Sequence, residues 1–330
     1  MKKLLGLLLS AALIMGALTS CAGTPAENNG TSSPETTLAV SETNSPEPSA
    51  ADETDWPRTY TDARGKEVTL EKKPERIAVT TWMITENLLA LETPPVASDT
   101  VEVISQWGSM KSYFERYQIE DLGKDHLSIN LEKLVETSPD LILATTINEK
   151  IYDQLEKIAP VIVLDDASFF DNWQTSVREI SKIIGEETAA ETFINKVLEE
   201  AEQGKANVEA LGEITAGFAR AWKKEFTVYS EQQLILFYDK ENGLGLSSPL
   251  NWPTKRSTLS LEAFSEFDPD YIFLSGADQE FMDELSANSV WKSLTAVKNN
   301  HVFSIDLSAL TGGPLAMRYG VQTVIDTLTN

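Results

Sequence analysis

Two stretches of the sequence follow one pattern: "LEKLVETSPDLIL" at Leu131–Leu143 and "LEAFSEFDPDYIF" at Leu261–Phe273. In each, a Leu-Glu pair opens a short segment, a Pro-Asp pair ends it, and an apolar run follows; the matching Glu, Pro and Asp residues are 130 positions apart. The first part of each copy has helical spacing, proline ends a helix, and the apolar run is typical of a buried parallel strand. The repeat therefore predicts two similar lobes.

The segments around these stretches extend the prediction. β-rich runs near 76–81, 94–99, 141–146 and 160–165 alternate with helical segments, and Asn130 is a candidate N-cap for the first repeated helix. Trp173–Leu211 then keeps helical spacing without a strand signal, and Gly185 marks a joint between two helices. The alternation resumes with "EFTVYS", "LILFYD" and the second repeat. We predict an α/β fold of two doubly wound, Rossmann-like lobes joined by a long backbone helix.

The N-terminus has the layout of an export signal. Two lysines precede an apolar run from Leu4 to about Leu18, and the only cysteine, Cys21, follows in "LTSC". The run is too short for a permanent membrane span, and "LTSC" resembles a bacterial lipobox. Residues 1–20 are predicted to be a signal peptide and Cys21 the lipidated first residue of the mature chain. The alternative is an ordinary signal peptide with an incidental cysteine nearby.

The segment after the lipobox differs sharply in composition. Residues 22–55 carry seven acidic residues, four prolines and no Lys or Arg. Such a stretch buries too little apolar surface to offset its chain entropy, so 21–55 is predicted to be a disordered tether, roughly 30–35 Å long on average. The rest of the chain suits an N-terminal lobe at 56–171, a helical connection at 172–211 and a C-terminal lobe at 212–330. The net charge of −24 argues against a nucleic-acid partner.

The sequence offers little catalytic chemistry. It contains no G-x-S-x-G elbow, P-loop or H-E-x-x-H motif. Cys21, used as an anchor, leaves no thiol for catalysis. Two histidines far apart, His126 and His301, do not assemble the site that direct zinc or manganese binding usually needs, and His301 is expected to be structural. We therefore expect no enzyme activity, no catalytic residue and no metal ligands or resident cofactor.

The order of these segments resembles a known family. "TYTDARGKEVTL", "KPERIAV", "SINLEKLVETSPDLIL", a long central helix, "LSLEAFSEFDPDYIFL" and "GGPLAMRYGVQTVIDTL" follow one another as in the helical-backbone substrate-binding proteins of ABC importers, and most closely as in the iron-siderophore binders. The resemblance implies a rigid spine and a shallow cleft. It also implies an extracytoplasmic, lipid-anchored monomer that captures a ferric siderophore, with the iron carried inside the ligand, and hands it to a permease dimer with its ATPase.

Such a ligand suits aromatic faces and basic donors on loops at the crevice, which in α/β lobes lies at the carboxyl ends of the strands. Lys124 and His126 lie in "LGKDHLSINLE", where hydroxamate-binding relatives carry a basic contact residue. The candidate ligand-binding residues are Trp82, Trp107, Lys111, Lys124, His126, Thr146, Asn148, Tyr229, Trp252, Lys255 and Arg256.

For each candidate the alternative is a solvated charge or a packed aromatic side chain. Arg220 and Lys223–Lys224 are expected to form a solvated run beside a strand. The cleft loops show no cluster of several arginines, such as some catecholate binders use, so the siderophore class stays open. Cobalamin and haem binders share the fold and remain alternatives.

A Glu heads each copy of the repeat. In the first turn of a short helix, a Glu complements the helix dipole, which is a sufficient structural explanation. In the family that the chain resembles, the matching Glu of each lobe is exposed toward the membrane and pairs with permease arginines. The resemblance therefore implies permease docking by Glu132 and Glu262. A rival function of another class, a lipoprotein enzyme or adhesion module, would be favoured by substrate turnover or by absence of small-ligand binding.

Overall fold

An antiparallel hairpin opens the described part of the chain. Its strands are β1 (Arg58–Thr61) and β2 (Glu67–Leu70), joined through a turn in which Asp62 accepts hydrogen bonds from the backbone N–H groups of Arg64 and Lys66. The structure is a computed structural model that describes residues 56–167, 169 and 171–329. The predicted signal peptide, Cys21 and the predicted tether at 21–55 lie outside the described residues.

The N-terminal lobe is a five-stranded parallel sheet with strand order β5-β4-β3-β6-β7. The strand β6, which is paired on both sides, is buried along its whole length, and this burial explains the uninterrupted apolar run "LILAT". The strands are β3 (Ile77–Val79), β4 (Ala97–Ser98), β5 (Glu120–Asp121), β6 (Leu141–Thr145) and β7 (Val161–Leu164). The helices are α1 (Trp82–Ala90), α2 (Val101–Ile104), α3 (Lys111–Phe114), α4 (Leu131–Glu136), a 3₁₀ helix (Thr146–Ile151) and α5 (Tyr152–Leu155).

A two-part helical spine follows, in agreement with the predicted joint at Gly185. The helix α6 spans Trp173–Ile184 and α7 spans Glu187–Glu209. Gly185 ends α6 with a φ of 74°, a left-handed conformation that glycine adopts without steric cost. The spine thus consists of two helices, of which the second runs for 23 residues.

The C-terminal lobe is a five-stranded sheet with order β10-β9-β8-β11-β12, in which only β9 runs antiparallel to its neighbours. The strands are β8 (Ala216–Trp222), β9 (Glu225–Val228), β10 (Ser257–Leu259), β11 (Tyr271–Ser275) and β12 (Val302–Ser304). The helices are α8 (Ile235–Tyr238), α9 (Leu261–Ser265), α10 (Gln279–Ala287), α11 (Ser289–Ser293), α12 (Thr295–Lys298), a 3₁₀ helix (Leu307–Leu310) and α13 (Pro314–Thr329).

Two features of this lobe differ from the sequence reading. The strand β8, which is first in sequence and central in the sheet, was not predicted. Its strand propensity is low because four of its residues are small: Ala216, Gly217, Ala219 and Ala221. The segment "LILFYD" supplies the short helix α8 instead of a strand. Because β8 is paired on both sides, small residues suffice to fill its place in the sheet.

The duplicated stretches form matching elements in the two lobes. Asn130 caps α4 by accepting from the N–H groups of Glu132 and Lys133, and Ser260 caps α9 in the same way through Ala263. In both copies the helix leads through a buried proline into a buried strand. The internal repeat is therefore structural as well as sequential.

One hydrophobic cluster runs through both lobes and the spine. It joins Ile77 and Leu143 of the first sheet to Val177 and Val197 of the spine and to Phe273 of the second sheet. Smaller clusters fill the outer face of each lobe. Within residues 56–167, 169 and 171–329, no helix combines the length and the apolar character that crossing a membrane requires.

Candidate functional site

The strand orders predict where each lobe would bind a ligand. In each lobe the chain first adds two strands on one side of the starting strand and then adds two on its other side. The direction of strand addition therefore reverses between β3 and β6 in the first sheet and between β8 and β11 in the second. Ligands of open α/β sheets bind outside the carboxyl ends of the strands at such switch points. Thr80–Trp82 and Thr145–Thr146 border this point in the N-terminal lobe, whereas Arg220–Trp222 and Gly276 border it in the C-terminal lobe.

Trp82 and Trp107, predicted separately from the sequence, form one aromatic pair. Their ring centroids are 4.9 Å apart in an edge-to-face arrangement, and both rings are half-buried. The turn that follows Trp107 contacts the other lobe, where the N–H of Gly108 donates to Asp306 and the N–H of Ser109 donates to Ser308 (3.3 and 3.1 Å). The pair therefore lies beside a direct contact between the lobes.

A depression continues from this pair across to the C-terminal lobe. Thr311 and Gly312 line two adjacent cavities, of which one is walled by Trp82, Met83 and Trp173. The other has a volume of about 380 Å³, and its further lining residues are Asp171, Ser230, Gln232, Gln233, Thr254, Lys255 and Arg256. The candidate residues Trp82, Lys255 and Arg256 are thus parts of one surface between the lobes.

The register of the second sheet assembles a basic face that the sequence did not reveal. Arg220 of β8 is opposite Thr227 of β9, and Tyr229 and Arg256 continue the same face. The Arg256 guanidinium lies 5.4 Å from the Tyr229 ring, and the Arg220 guanidinium lies 4.9 Å from the Trp222 ring. Burial raises the pKa of Tyr229, while the positive charges of Arg256 and Arg220 act to lower it. Both guanidiniums therefore act on one tyrosine.

These two arginines differ from the others in the described residues. Arg58, Arg64, Arg116, Arg178 and Arg318 form salt bridges, and Arg76 donates to the backbone carbonyl of Ser138. Within the described ranges, Arg220 and Arg256 have no carboxylate partner, and the buried Nε of Arg220 has no hydrogen-bond acceptor. Arg256 is exposed, whereas Arg220 is half-buried, and a half-buried guanidinium without an anion is a prepared site for one. The expectation that Arg220 belongs to a solvated run is therefore wrong.

On the N-terminal side, Asn148 organises the loop that carries His126. Its side-chain amide donates to the His126 carbonyl (2.7 Å) and accepts from the Thr80 hydroxyl (2.6 Å). Asn148 is only 3 % exposed, so the structure gives it a positioning role and not the ligand contact expected from the sequence. Lys124 is exposed and His126 half-buried on this loop, and the exposed Thr146 accepts from the N–H of Asp166 (3.1 Å).

Trp252 also differs from its expected place in the cleft. It is 7 % exposed, its indole N–H donates to the Tyr229 carbonyl (2.8 Å), and its ring packs edge-to-face against Phe264 and Phe267. Tyr229 is itself buried beneath Arg256. Trp252 thus supports the basic face from behind, because a polar loop folds its one large aromatic side chain into the core.

Lys111 and Lys255 carry exposed ammonium groups, Lys111 on the N-terminal lobe and Lys255 on the C-terminal lobe. Lys111 begins α3, one turn after Trp107, whose carbonyl accepts from the Lys111 N–H (2.8 Å). Lys255 precedes Arg256 at the start of β10. Nowhere in the described part of the chain do three or more His, Cys, Asp or Glu side chains group so that they would hold a metal ion.

A buried carboxylate, Asp99, lies at the carboxyl end of β4. Burial raises the pKa of Asp99 to about 6, while the Thr100 hydroxyl (2.9 Å), the Trp82 N–H and the charge of His126 act to lower it. Its Oδ1 atom is buried without a partner among the described groups. An aspartate after a short strand carries no sequence signal of burial, so Asp99 was not among the candidates.

This shift predicts a pH-dependent stability. Because the folded-state pKa of Asp99 is raised, its ionised form opposes folding, and this cost develops as the pH rises from about 4 through 6. We expect Asp99→Asn to raise the free energy of unfolding by about 2 kcal/mol at pH 8 and to change it little at pH 4. Urea unfolding at both values measures this, with exposed Asp153→Asn as the control; an equal effect at both pH values would contradict it.

Comparisons with known proteins agree with this architecture. Residues 77–309 match the family described as "Periplasmic binding protein". The iron(3+)-hydroxamate-binding protein YxeB of Bacillus subtilis is 28 % identical over 294 residues, covering 85 % of this chain and 87 % of the relative. The ferric enterobactin-binding periplasmic protein FepB of Escherichia coli is 27 % identical over 273 residues, covering 76 % of this chain and 84 % of the relative. The structure of SirA of Staphylococcus aureus, solved with staphyloferrin B, superposes with a TM-score of 0.65 at 22 % identity. The superposition covers 82 % of this chain and 98 % of SirA.

Proposed function

The chain belongs to the periplasmic binding protein family, and from this membership we propose that it captures a ferric siderophore between its lobes and delivers it to an ABC import permease. One observation carries the proposal. Arg220 and Arg256, without carboxylate partners in the described residues, flank Tyr229 on one side of the interlobe region, and the Trp82–Trp107 pair lies on the other. Basic donors opposite an aromatic face suit a bulky metal chelate whose surface is built from oxygen atoms and planar rings.

The relatives support iron chelates as the class of ligand. Two of them are named for a ferric hydroxamate and for ferric enterobactin, which differ in chelating group but share a ferric centre wrapped by oxygen donors. We assign Arg220, Lys255 and Arg256 to the ligand's oxygen atoms and Trp82 and Trp107 to its apolar faces. Lys111, Lys124, His126 and Thr146 complete the proposed N-terminal half of the site. The iron is cargo within the ligand, and the protein needs no cofactor and performs no catalysis.

A fluorescence titration tests this function. The chain has seven tryptophans, several of them near the proposed site, so ligand binding should quench their emission. We expect saturable quenching at micromolar or lower concentration by at least one ferric trihydroxamate, tricatecholate or carboxylate siderophore, and none by haem or cobalamin. Saturation by haem or cobalamin alone, or by no member of the panel, would overturn the proposal.

We also propose that Glu132 and Glu262 dock the protein on the two halves of a permease dimer, which works with an ATPase. Each is exposed in the first turn of its helix, and each helix already has a side-chain cap, from Asn130 and Ser260. Neither carboxylate forms a salt bridge with a described residue. Two exposed carboxylates, one on each lobe, suit basic partners on two related subunits and fix orientation more than they add affinity.

We propose further that Cys21 carries a lipid that holds the monomeric protein at the outer side of the cell membrane. Cys21→Ser removes the thiol that receives the lipid, so we expect the protein to move from the membrane to the soluble fraction. Fractionation with a radiolabelled fatty acid measures both effects. A variant that stays membrane-bound and labelled would show that "LTSC" is not a lipobox.

A further inference from the structure

Glu86 belongs to α1 of the N-terminal lobe, but its carboxylate binds the C-terminal lobe. One carboxylate oxygen accepts from the N–H of Ala316 (2.7 Å), and the N–H of Leu315 donates to the same group. Glu86 is 1 % exposed. The two amides belong to the first turn of α13, whose N-terminal N–H groups have no partner inside the helix. A side chain of one lobe thus completes a helix of the other.

The start of α13 is built to receive this carboxylate. Its first residue is Pro314, which has no N–H, and the residue before it is Gly313, which has no side chain to serve as a cap. A Cβ atom on Gly313 would lie 2.1 Å from the other carboxylate oxygen of Glu86. Gly313 is therefore required by the contact, and the cap comes from the opposite lobe because the local chain leaves room for it.

The same turn borders the proposed ligand site. Thr311 and Gly312, directly before Gly313, line both cavities of the interlobe depression. Beyond the turn, Arg318 of α13 makes two hydrogen bonds of 2.8 Å to Glu200 of the spine. The carboxylate of Glu86 thus connects the helix that begins with Trp82 to a turn and a helix fixed on the spine.

Among the residues that the structure describes, no ionic partner explains the burial of Glu86. The elements packed against α1 are β3, α6 and α13, and their charged side chains pair elsewhere: Arg178 with Glu191, Lys182 with Glu179 and Arg318 with Glu200. Burial raises the pKa of Glu86 to about 7, opposed only by its two backbone hydrogen bonds. The start of α13 requires an oxygen acceptor, and both the neutral and the ionised carboxyl group of Glu86 provide one.

We propose that Glu86 is a positioning residue, an interlobe cap that fixes the turn Thr311–Gly313 against α1 and so sets the geometry of the ligand site. The consequence for ligand affinity rests on the proposed function, whereas the cap itself does not. Loss of the acceptor frees the first amides of α13 and loosens the turn. Glutamine keeps an acceptor oxygen at the same reach, and aspartate keeps the charge but is one methylene shorter.

Amide hydrogen exchange on the full chain tests the cap without a ligand. We expect Glu86→Ala and Glu86→Asp to accelerate exchange in the segment 313–318 at least 10-fold, and Glu86→Gln to stay within about 3-fold of the parent protein. The matched control is Thr85→Val, which removes a buried hydrogen bond to Ser98 inside the N-terminal lobe (2.6 Å) and should leave 313–318 unchanged. Unchanged exchange in both Glu86→Ala and Glu86→Asp would overturn the cap.

Titration with ferric desferrioxamine and ferric enterobactin tests the consequence for the site. For the complex that the parent protein binds, we expect Glu86→Asp to weaken affinity at least 10-fold and Glu86→Gln to restore it to within about 3-fold. Faster exchange with unchanged affinity would overturn the positioning role while leaving the cap. If the parent protein binds neither these complexes nor any other iron chelate, the proposed function and the positioning role both fail, and the exchange experiment still decides the cap.

Discussion

Replacing both Arg220 and Arg256 by glutamine is expected to weaken binding of the ferric siderophore by about 100-fold or more. Each guanidinium is free of carboxylates in the described residues and flanks Tyr229, so a ligand oxygen is its natural partner. A hydrogen bond to a charged group contributes about 1.5–3 kcal/mol, and two such losses correspond to at least about 3 kcal/mol. Tryptophan-quenching titrations measure the change directly.

A matched pair of arginines controls for the loss of positive charge. Arg116 and Arg178 are also surface arginines but are paired with Glu92 and Glu191. The Arg116→Gln, Arg178→Gln double variant should bind the ferric siderophore with an affinity within about twofold of that of the parent protein. The ligand affinity of the parent protein should fall as salt is added. Equal affinity in the two double variants would remove Arg220 and Arg256 from the site.

The second large effect concerns transport and leaves binding intact. Glu132→Ala combined with Glu262→Ala should abolish most siderophore-dependent iron uptake in cells, while ligand affinity and thermal stability change little. Both carboxylates are exposed on helices that have their own caps, so their removal costs the fold little. In the proposed docking, their removal leaves the lobes without the charged contacts that orient the cleft over the permease.

The same two helices provide the control for the docking variant. Glu136 and Glu266 lie one turn further along and are also exposed. Glu136→Ala combined with Glu266→Ala removes the same charge from the same region and should leave uptake nearly normal. Normal uptake by the Glu132, Glu262 double variant would return both residues to a helix-dipole role.

Elements with strong local signals were predictable from the sequence. The duplicated stretch predicted both helices, the Asn130 cap and the buried strands, and Gly185 marked the break in the spine, because capping, proline and left-handed glycine act over a few residues. The strand β8 was missed because its alanines and Gly217 pack well only between two neighbouring strands. Its tertiary setting outweighs its low propensity.

The candidate site was predictable only in part, since it depends on how distant residues are brought together. Trp82, expected at the end of the first strand, and Trp107, expected in a loop, were separate candidates, and their contact follows from the fold. Arg220 and Arg256 share a face through the register of β9, which no local pattern encodes. Trp252 has a polar sequence environment and a buried ring, so loop composition gave the wrong exposure.

The burial of Glu86 and Asp99 had no sequence signal. Carboxylates in helices or after strands are usually solvated, and the two here are buried because helix N-terminal amides lie in front of them. Finding such groups requires the positions of α1 and α13 relative to each other, which only the assembled lobes supply.

The central claim is that the protein binds a preformed iron chelate and not the bare metal, and equilibrium dialysis tests it most directly. The full chain would be dialysed against a ferric siderophore identified by the titration panel, against the iron-free siderophore, and against ferric nitrilotriacetate. We predict that iron and siderophore are retained together, one of each per chain, and that neither the iron-free chelator nor iron from nitrilotriacetate is retained comparably. Retention of iron without the chelator, or of no iron chelate at all, would contradict the account.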